Sequence, residues 1–331
     1  MIKHLKVAET QAQKAKIFLE DCNALNDDFL PIKKDGFVFW PLNFEVEGEI
    51  IECEGLLSNR ISRDYRLHLP SELRDLAPRA FDIFGSIAII KLTEESMEYS
   101  AIISKSLLDS NPNIDRVALD MGVKGEFRVR ELSMIQGEPN FVAIHKENGL
   151  KIKLDVSKVY FSPRLAMERK RIVDIATVGE SVLDAFAGAC PFSIGLSKKG
   201  CKLTSVDSNP EAEKWSHENF ALNGINKSDY RFITSKIEDT IQDLDMYDRI
   251  IMNNPTNPLP YLEELSSLLK PEGFIHLYKI VEKDEEFEIE DHLSSEFKCL
   301  SKRVVHPYSP RSSMMAFDIT RAVSNVRNTN Q

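Results

Sequence analysis

Residues Val182-Leu-Asp-Ala-Phe-Ala-Gly-Ala-Cys-Pro-Phe-Ser-Ile194 constrain the fold of this chain more than any other segment. The apolar pair Val182 and Leu183 reads as a strand ending at Asp184. The small residues Ala187, Gly188 and Ala189 read as a turn, and Pro191 as the opening of a helix. This is the first β-α unit of a doubly wound sheet, a fold that takes its ligand at the carboxyl ends of its strands. A second strand, Lys202-Leu-Thr-Ser-Val206, runs into Asp207, at the distance expected of a carboxylate that holds ribose hydroxyls. Further on, Arg249-Ile-Ile-Met252 runs into Asn253-Asn254-Pro255-Thr256. There the Asn amide can meet a planar amide or amine, while Pro fixes the turn.

The chemistry of the first loop separates two cofactor classes. A dinucleotide site needs G-x-G-x-x-G so that backbone can approach a pyrophosphate, whereas Gly188 is the only glycine here, followed by Ala189 and Cys190. S-adenosylmethionine therefore fits better than NAD. Just upstream, Val159 to Ile172 sets one carboxylate, Glu168, among Arg164, Arg169, Lys170 and Arg171. A lone acid in a basic cluster beside a cofactor is a candidate general base on an anionic substrate, and Lys170 and Arg171 are candidate phosphate contacts. Taken alone, Glu168 and Arg169 read first as a surface pair on a helix start, and Tyr160 and Phe161 as core.

A length of 331 residues suggests two or three domains, and 42% hydrophobic residues suffice for real cores. No apolar run approaches a membrane span, and Met-Ile-Lys-His-Leu-Lys lacks a signal-peptide core, so a cytoplasmic enzyme without membrane association is expected. The 5 cysteines are odd in number and scattered, and the 7 histidines form no H-x-x-x-H pair, so reduced thiols and no metal site are expected. The net charge of −10 looks wrong for an RNA-binding protein, but residues 282–291 are densely acidic while residues 158–171 are basic around Glu168. The acidic stretch reads as a solvated loop or helix start.

Along the chain, residues 7–26 suggest a helix and Gly36-Phe-Val-Phe-Trp40 a strand, with acidic residues 45–56 as a linker. Pro70-Ser-Glu-Leu suggests a helix start, Ser86 to Leu92 a strand, and Gly122 a turn before strands near Phe127, Phe141 to His145 and Leu150 to Val156. Strands at 182–186, 202–206, 230–234, 248–252 and 273–280 alternate with helices starting near Pro191, Pro210, Glu238 and Leu259. Two more strands flank a loop from Pro307 to Ser313. The expected fold is α/β, a Rossmann-like carboxyl-terminal domain preceded by small α+β domains. The boundaries expected are 1–55 for an accessory module, 56–160 for a middle domain, 161–325 for the cofactor domain, and 326–331 for a frayed tail.

These blocks together resemble the archaeal and eukaryotic class I tRNA guanine-N1 methyltransferases, which act on the guanosine just 3′ of the anticodon, position 37. The resemblance spans nearly the whole chain and is carried by Gly125-Glu-Phe-Arg-Val-Arg-Glu131, Ile144-His-Lys-Glu-Asn-Gly149, Lys158-Val-Tyr-Phe-Ser-Pro-Arg-Leu165 with Glu168-Arg169, Asp184 to Ile194, and Val304-Val-His-Pro-Tyr-Ser-Pro-Arg311. It implies a class I methyltransferase domain behind RNA-contacting domains, S-adenosylmethionine as cofactor, tRNA as partner, and a monomer. It further implies Glu168 as the base at N1, Arg128 as the donor at O6, and Asn253 and Pro255 shaping the pocket. Cofactor contacts are implied for Tyr160, Arg164, Arg169, Asp184, Phe186, Gly188, Asp207, Ser208, Ser235, Lys236 and Asn253. The chain departs from the family pattern at Cys190, usually Gly, at Asn254, usually Leu, and at Ser235, usually Asp. Ser235 is the more serious departure, because a hydroxyl accepts more weakly than a carboxylate. Three alternatives remain open at this level. They are a wyosine-pathway methyl- or aminocarboxypropyltransferase, an amino-group methyltransferase of the Asn-Pro-Pro-Tyr type, and a non-catalytic RNA-binding relative.

Overall fold

The computed structural model describes residues 2–322 except 23, 27, 58–63 and 128, so Arg128 and the expected tail lie outside the described residues. The chain divides into two units, Met1–His68 with Asp109–Asn111, and Leu69–Leu108 with Pro112–Gln331.

In the first unit, β1 (Ile2–Ala8) leads through a 3-10 turn into α1 (Ala12–Asp21). There follow β2 (Phe29–Leu30), β3 (Ile32–Lys34), β4 (Phe37–Pro41), β5 (Glu49–Cys53) and β6 (Leu56–Leu57). A four-stranded sheet of order β3-β4-β1-β5 packs Leu5, Val38 and Trp40 against Leu19 of α1. The expected linker at 45–56 is thus partly sheet: Glu49–Cys53 pairs antiparallel with β1, although its sequence Glu-Ile-Ile-Glu-Cys carries no strict alternation. No strand is expected from sequence at Ile2–Ala8, whose lysines and histidine interrupt the apolar alternation; burial of His4 and Leu5 decides it.

The second unit opens with a 3-10 turn at Ser71–Leu73, which replaces the helix expected after Pro70. It continues through β7 (Asp82–Phe84), β8 (Ile87–Ile90), α2 (Glu94–Met97), α3 (Ser100–Ser110), β9 (Arg116–Lys124) and β10 (Val129–Gln136). The sheet order is β10-β9-β8-β7. The serines and β-branched residues of Ser100–Ser110 are weak helix formers, which hid α3 from the sequence reading; burial of Ile103 and Leu107 stabilises it. Gly122 lies inside β9, and the hairpin turns instead at Gly125 to Phe127. The hairpin β11 (Val142–Glu147) and β12 (Leu150–Asp155) is closed by Asn148-Gly149, both at positive φ, the turn whose twist matches paired strands.

After α4 (Ala166–Ile175) come β13 (Ser181–Asp184), α5 (Pro191–Lys199), β14 (Lys202–Asp207), α6 (Pro210–Leu222), β15 (Tyr230–Thr234), β16 (Tyr247–Met252), α7 (Leu262–Ser267), β17 (Leu269–Glu282), β18 (Phe297–Pro307) and β19 (Ser312–Arg321). They form one seven-stranded sheet, β15-β14-β13-β16-β17-β19-β18, with β19 antiparallel to its neighbours. The central β13 and β16 are buried along most of their length, with Val182, Leu183, Ile250, Ile251 and Met252 fully buried, as expected of strands covered on both faces. In place of the helix expected near Glu238, two 3-10 turns form, Ile237–Asp239 and Ile241–Asp243. Residues 283–288 are a largely exposed loop and Ile289–His292 a 3-10 turn, in keeping with a solvated acidic stretch.

Candidate active site

The reversal of strand order between β13 and β16 opens a crevice at the carboxyl ends of the parallel strands, where ligands of such sheets bind. A cavity of about 490 Å³ occupies it, within the range of small-molecule and cofactor sites.

Its floor is the loop after β13. Asp184 is buried, and its Oδ2 accepts from the Ser193 hydroxyl of α5 at 2.7 Å, which ties strand end to helix. Its Oδ1 has no partner, and burial pushes the carboxyl up to about 7. Asp184 orders the loop from beneath and does not line the cavity.

Gly188 and Cys190 take left-handed conformations, φ 53° and 62°, as the chain doubles back into α5. The residue that departs from the family glycine is thus the one at a glycine-favouring angle. Cys190→Gly is expected to unfold in denaturant within about 1 kcal/mol of the parent. Relief of the left-handed strain, about 1–2 kcal/mol, offsets the lost burial of a small side chain and the gained chain freedom. Cys190→Val, with a branched side chain at that angle, is expected to lose about 1–3 kcal/mol in the same measurement.

Asp207, at the end of β14, does line the cavity. Its Oδ2 accepts from the Gly188 N–H at 2.7 Å and its Oδ1 from the Asn209 N–H at 2.9 Å. Burial raises this carboxyl, with those two amides pulling the other way. Each oxygen keeps a further lone pair for a hydroxyl. Ser208, Ser235 and Lys236 continue the wall, and Phe186 meets Tyr261 edge to face at 5.3 Å. Beside Ile237, these rings form an apolar slot suited to a flat heterocycle.

After β16, Asn253 and Pro255 line the opposite wall, and the Pro255 carbonyl accepts from the Ile280 N–H at 2.7 Å. The Asn253 Oδ1 is buried and unpartnered, an acceptor that a bound donor would satisfy. Tyr160 and Arg169 complete the cofactor candidates that line the cavity. Arg169 is itself locked: its Nη2 donates to Glu147 Oε2 at 2.6 Å and to the Ser162 carbonyl at 3.0 Å, over the Phe161 ring.

Arg164 and Glu168 stand apart from the cavity lining. Arg164 turns to Asp82, with Nε to Oδ1 at 2.8 Å. Glu168 is buried, its Oε1 accepting from Arg171 Nη2 at 2.8 Å, Arg303 Nη2 at 2.8 Å and the Tyr278 hydroxyl at 2.9 Å. Burial pushes this carboxyl up, but Arg171 and Arg303 outweigh it and hold it below its ordinary range, so it is ionised at neutral pH. Arg171 also pairs with Asp318, and Lys170 pairs with Asp174 in an exposed i,i+4 contact of the kind worth little.

Sequence reasoning missed Tyr261, Tyr308, Glu238 and the hairpin residues Glu126 and Phe127, all on the cavity wall. Glu126 pairs with Lys236 across it at 2.7 Å. No local signal marks them, since they arrive from elements far apart in sequence.

A seven-stranded sheet with an antiparallel seventh strand, acids after its first two strands and an Asn-x-Pro turn after the fourth defines a class I methyltransferase. Residues 143–305 match the TRM5/TYW2 methyltransferase domain, and residues 65–140 match the TYW2 N-terminal domain. The chain is 36% identical over 327 residues to the tRNA (guanine(37)-N(1))-methyltransferase Trm5b of Pyrococcus abyssi, covering 95% of this chain and 97% of that one. The crystal structure of that protein superposes with a TM-score of 0.74 at 35% identity, covering 97% of this chain and 100% of that one. The complex of aTrm5 with tRNALeu superposes with a TM-score of 0.69 at 27% identity, covering 96% and 98%. Trm5 of Methanocaldococcus jannaschii in complex with adenosine superposes at 0.64 with 25% identity, covering 96% and 99%. The chain belongs to the TRM5/TYW2 methyltransferase family.

Proposed function

We propose that this protein transfers a methyl group from S-adenosylmethionine to N1 of guanosine 37 of tRNA. The observation that carries this reading is one cavity lined by both the Asp207 carboxylate and the unpartnered Asn253 oxygen, in a chain similar along its length to enzymes named for that reaction. The cavity fits the cofactor. Asp207 offers acceptors for ribose hydroxyls, Phe186, Ile237 and Tyr261 an apolar slot for adenine, and Gly188 a backbone free of a side chain beside Tyr160. When bound, S-adenosylmethionine supplies an electrophilic methyl on a sulfonium.

The chain must do the rest. Guanine N1 carries a proton at neutral pH, and negative charge develops toward O6 as that proton leaves. Asn253 Oδ1 accepts from the bound base or the cofactor amine, and Pro255 keeps that turn rigid. Arg128, outside the described residues, is assigned to O6 on the family resemblance. Glu168 is assigned to the N1 proton: it is ionised, and Leu165 and Arg169 on either side of it in sequence line the cavity. A rotamer change exchanges its arginine and tyrosine donors for the N1–H. The first unit, with a core of its own, serves as a tRNA-recognition module, and the middle sheet contributes the hairpin.

Among the described residues no helix is long and apolar enough to cross a membrane. The test is methyl transfer from labelled cofactor to unmodified tRNA transcripts with guanosine or adenosine at position 37, with the product nucleoside identified. Labelling of the guanosine transcript alone, as 1-methylguanosine, is expected. Equal labelling of both removes the site assignment.

A further inference from the structure

Asp82 stands at the start of β7, outside the cavity lining, with an arginine on each carboxylate oxygen. Its Oδ2 accepts from Arg130 Nη2 of β10 at 2.7 Å, and its Oδ1 from Arg164 Nε, in the turn before α4, at 2.8 Å. The side chains of Asp82 and Arg130 are only 12% and 14% exposed, so this pairing is largely shielded from water and salt. Arg130 also reaches Asp120 of β9, Nη1 to Oδ2 at 3.4 Å.

The two arginines belong to different walls. Arg130 lies just beyond the hairpin tip, whose Glu126 and Phe127 line one side, and Arg164 lies between Ser162 and Leu165 on another. At the mouth, the hairpin is held by the exposed pair Glu126–Lys236, a kind that contributes little. The other end, where Asp82 and Arg130 are shielded and only Arg164 is half-exposed, therefore contributes more to how the walls meet. Tyr160, on the cavity wall, senses the same charges: burial pushes its phenol up, Arg130 pulls it down, and Asp82 pushes it up.

We propose that Asp82 is a positioning residue for methyl transfer, clamping β10 to the turn at residues 163–165 so that the hairpin wall and the α4 wall hold their reactants in line. Arg164 then belongs to the clamp and is not a cofactor ligand. Attack needs reacting atoms held near contact distance, and a shift of about 1 Å from a remote change can cost on the order of 100-fold in rate.

The inference rests on the methyl-transfer reading, so its test has one arm independent of chemistry. Asp82→Asn, Arg164→Ala and the double variant are compared with the parent in single turnover at saturating tRNA and S-adenosylmethionine. Each single variant is expected to slow transfer by about 10- to 100-fold, and the double variant no further than the slower single, because both remove one contact. Affinities for tRNA and S-adenosylmethionine are expected to stay within about twofold, which separates lost alignment from lost binding. Without tRNA, amide exchange is expected to quicken at residues 129–131 and 160–166 in both single variants.

A parental transfer rate in either variant overturns the proposal. So does a loss of cofactor affinity in Arg164→Ala that accounts for its lost rate, or unchanged amide exchange. If Asp82→Asn fails to fold, Arg164→Ala, which changes a half-exposed side chain, decides alone. A parent protein that leaves N1 of guanosine unlabelled defeats the methyl-transfer reading, and the exchange arm still judges the clamp.

Discussion

Glu168→Gln is expected to slow single-turnover methyl transfer by about 10²- to 10⁴-fold, the usual contribution of a general base, with tRNA and cofactor affinities near those of the parent. Glutamine keeps the shape and reach of the side chain but cannot take the N1 proton. The sign of the pH dependence follows from the site. Arg171 and Arg303 hold the Glu168 carboxyl below its ordinary range, so in the parent it remains ionised from neutral pH upward and imposes no rise in rate there. In Glu168→Gln the rate should climb with pH as N1 loses its proton to solvent, recovering part of the defect. Arg128→Ala should recover less, because its loss is the donor at O6. Glu168 also joins α4 to β17 and β18 through Tyr278 and Arg303, so thermal unfolding accompanies the rate measurement. A parental rate in a folded Glu168→Gln protein would make the residue structural and send the search for the base elsewhere on the cavity wall.

Asp207→Ala is expected to weaken S-adenosylmethionine binding by about 1.5–3 kcal/mol, the scale of hydrogen bonds to a charged group, or roughly 10- to 150-fold in Kd. Two losses act in the same direction. The ribose loses its acceptor, and the Gly188 N–H, now held at 2.7 Å, loses the partner that fixes the loop. Because burial raises the Asp207 carboxyl, protonation begins to remove that acceptor at a higher pH than for an ordinary aspartate. Cofactor affinity should fall as the pH drops through that range in the parent, and less so in Asp207→Ala. Titration calorimetry at several pH values reads both effects. Unchanged affinity in Asp207→Ala would remove Asp207 from the cofactor site.

The parts of the site that were legible in sequence are those made by consecutive residues. Asp184, Gly188, Asp207 and Asn253 each end a buried strand or follow one directly, and an apolar run that stops at a polar turn places such residues at the carboxyl edge of a parallel sheet. The alternation of strands and helices made a parallel sheet with its ligand at the strands' carboxyl ends legible, while the strand order that opens the crevice is set by the tertiary structure. The charged block from Arg164 to Arg171 was legible only as composition. Successive residues on a helix point about 100° apart, so Arg169 reaches the cavity while Glu168 and Arg171, three apart, share another face and meet Arg303 and Asp318.

By itself, then, the sequence determined the methyltransferase sheet, the turn through Ala187, Gly188 and Ala189 into α5 and the acids at its strand ends. Each of these depends on near neighbours through backbone geometry and hydrophobic period. Tertiary structure alone decided which charges face the ligand. Asp82 recruits Arg164 from 82 residues away, and Arg303 reaches Glu168 across 135. The hairpin tip closes a cavity whose other walls lie far downstream. A guanidinium goes to whichever carboxylate shares its dry environment, because an unpaired buried charge is far costlier than a paired one. That choice depends on packing between distant segments, which no local pattern encodes.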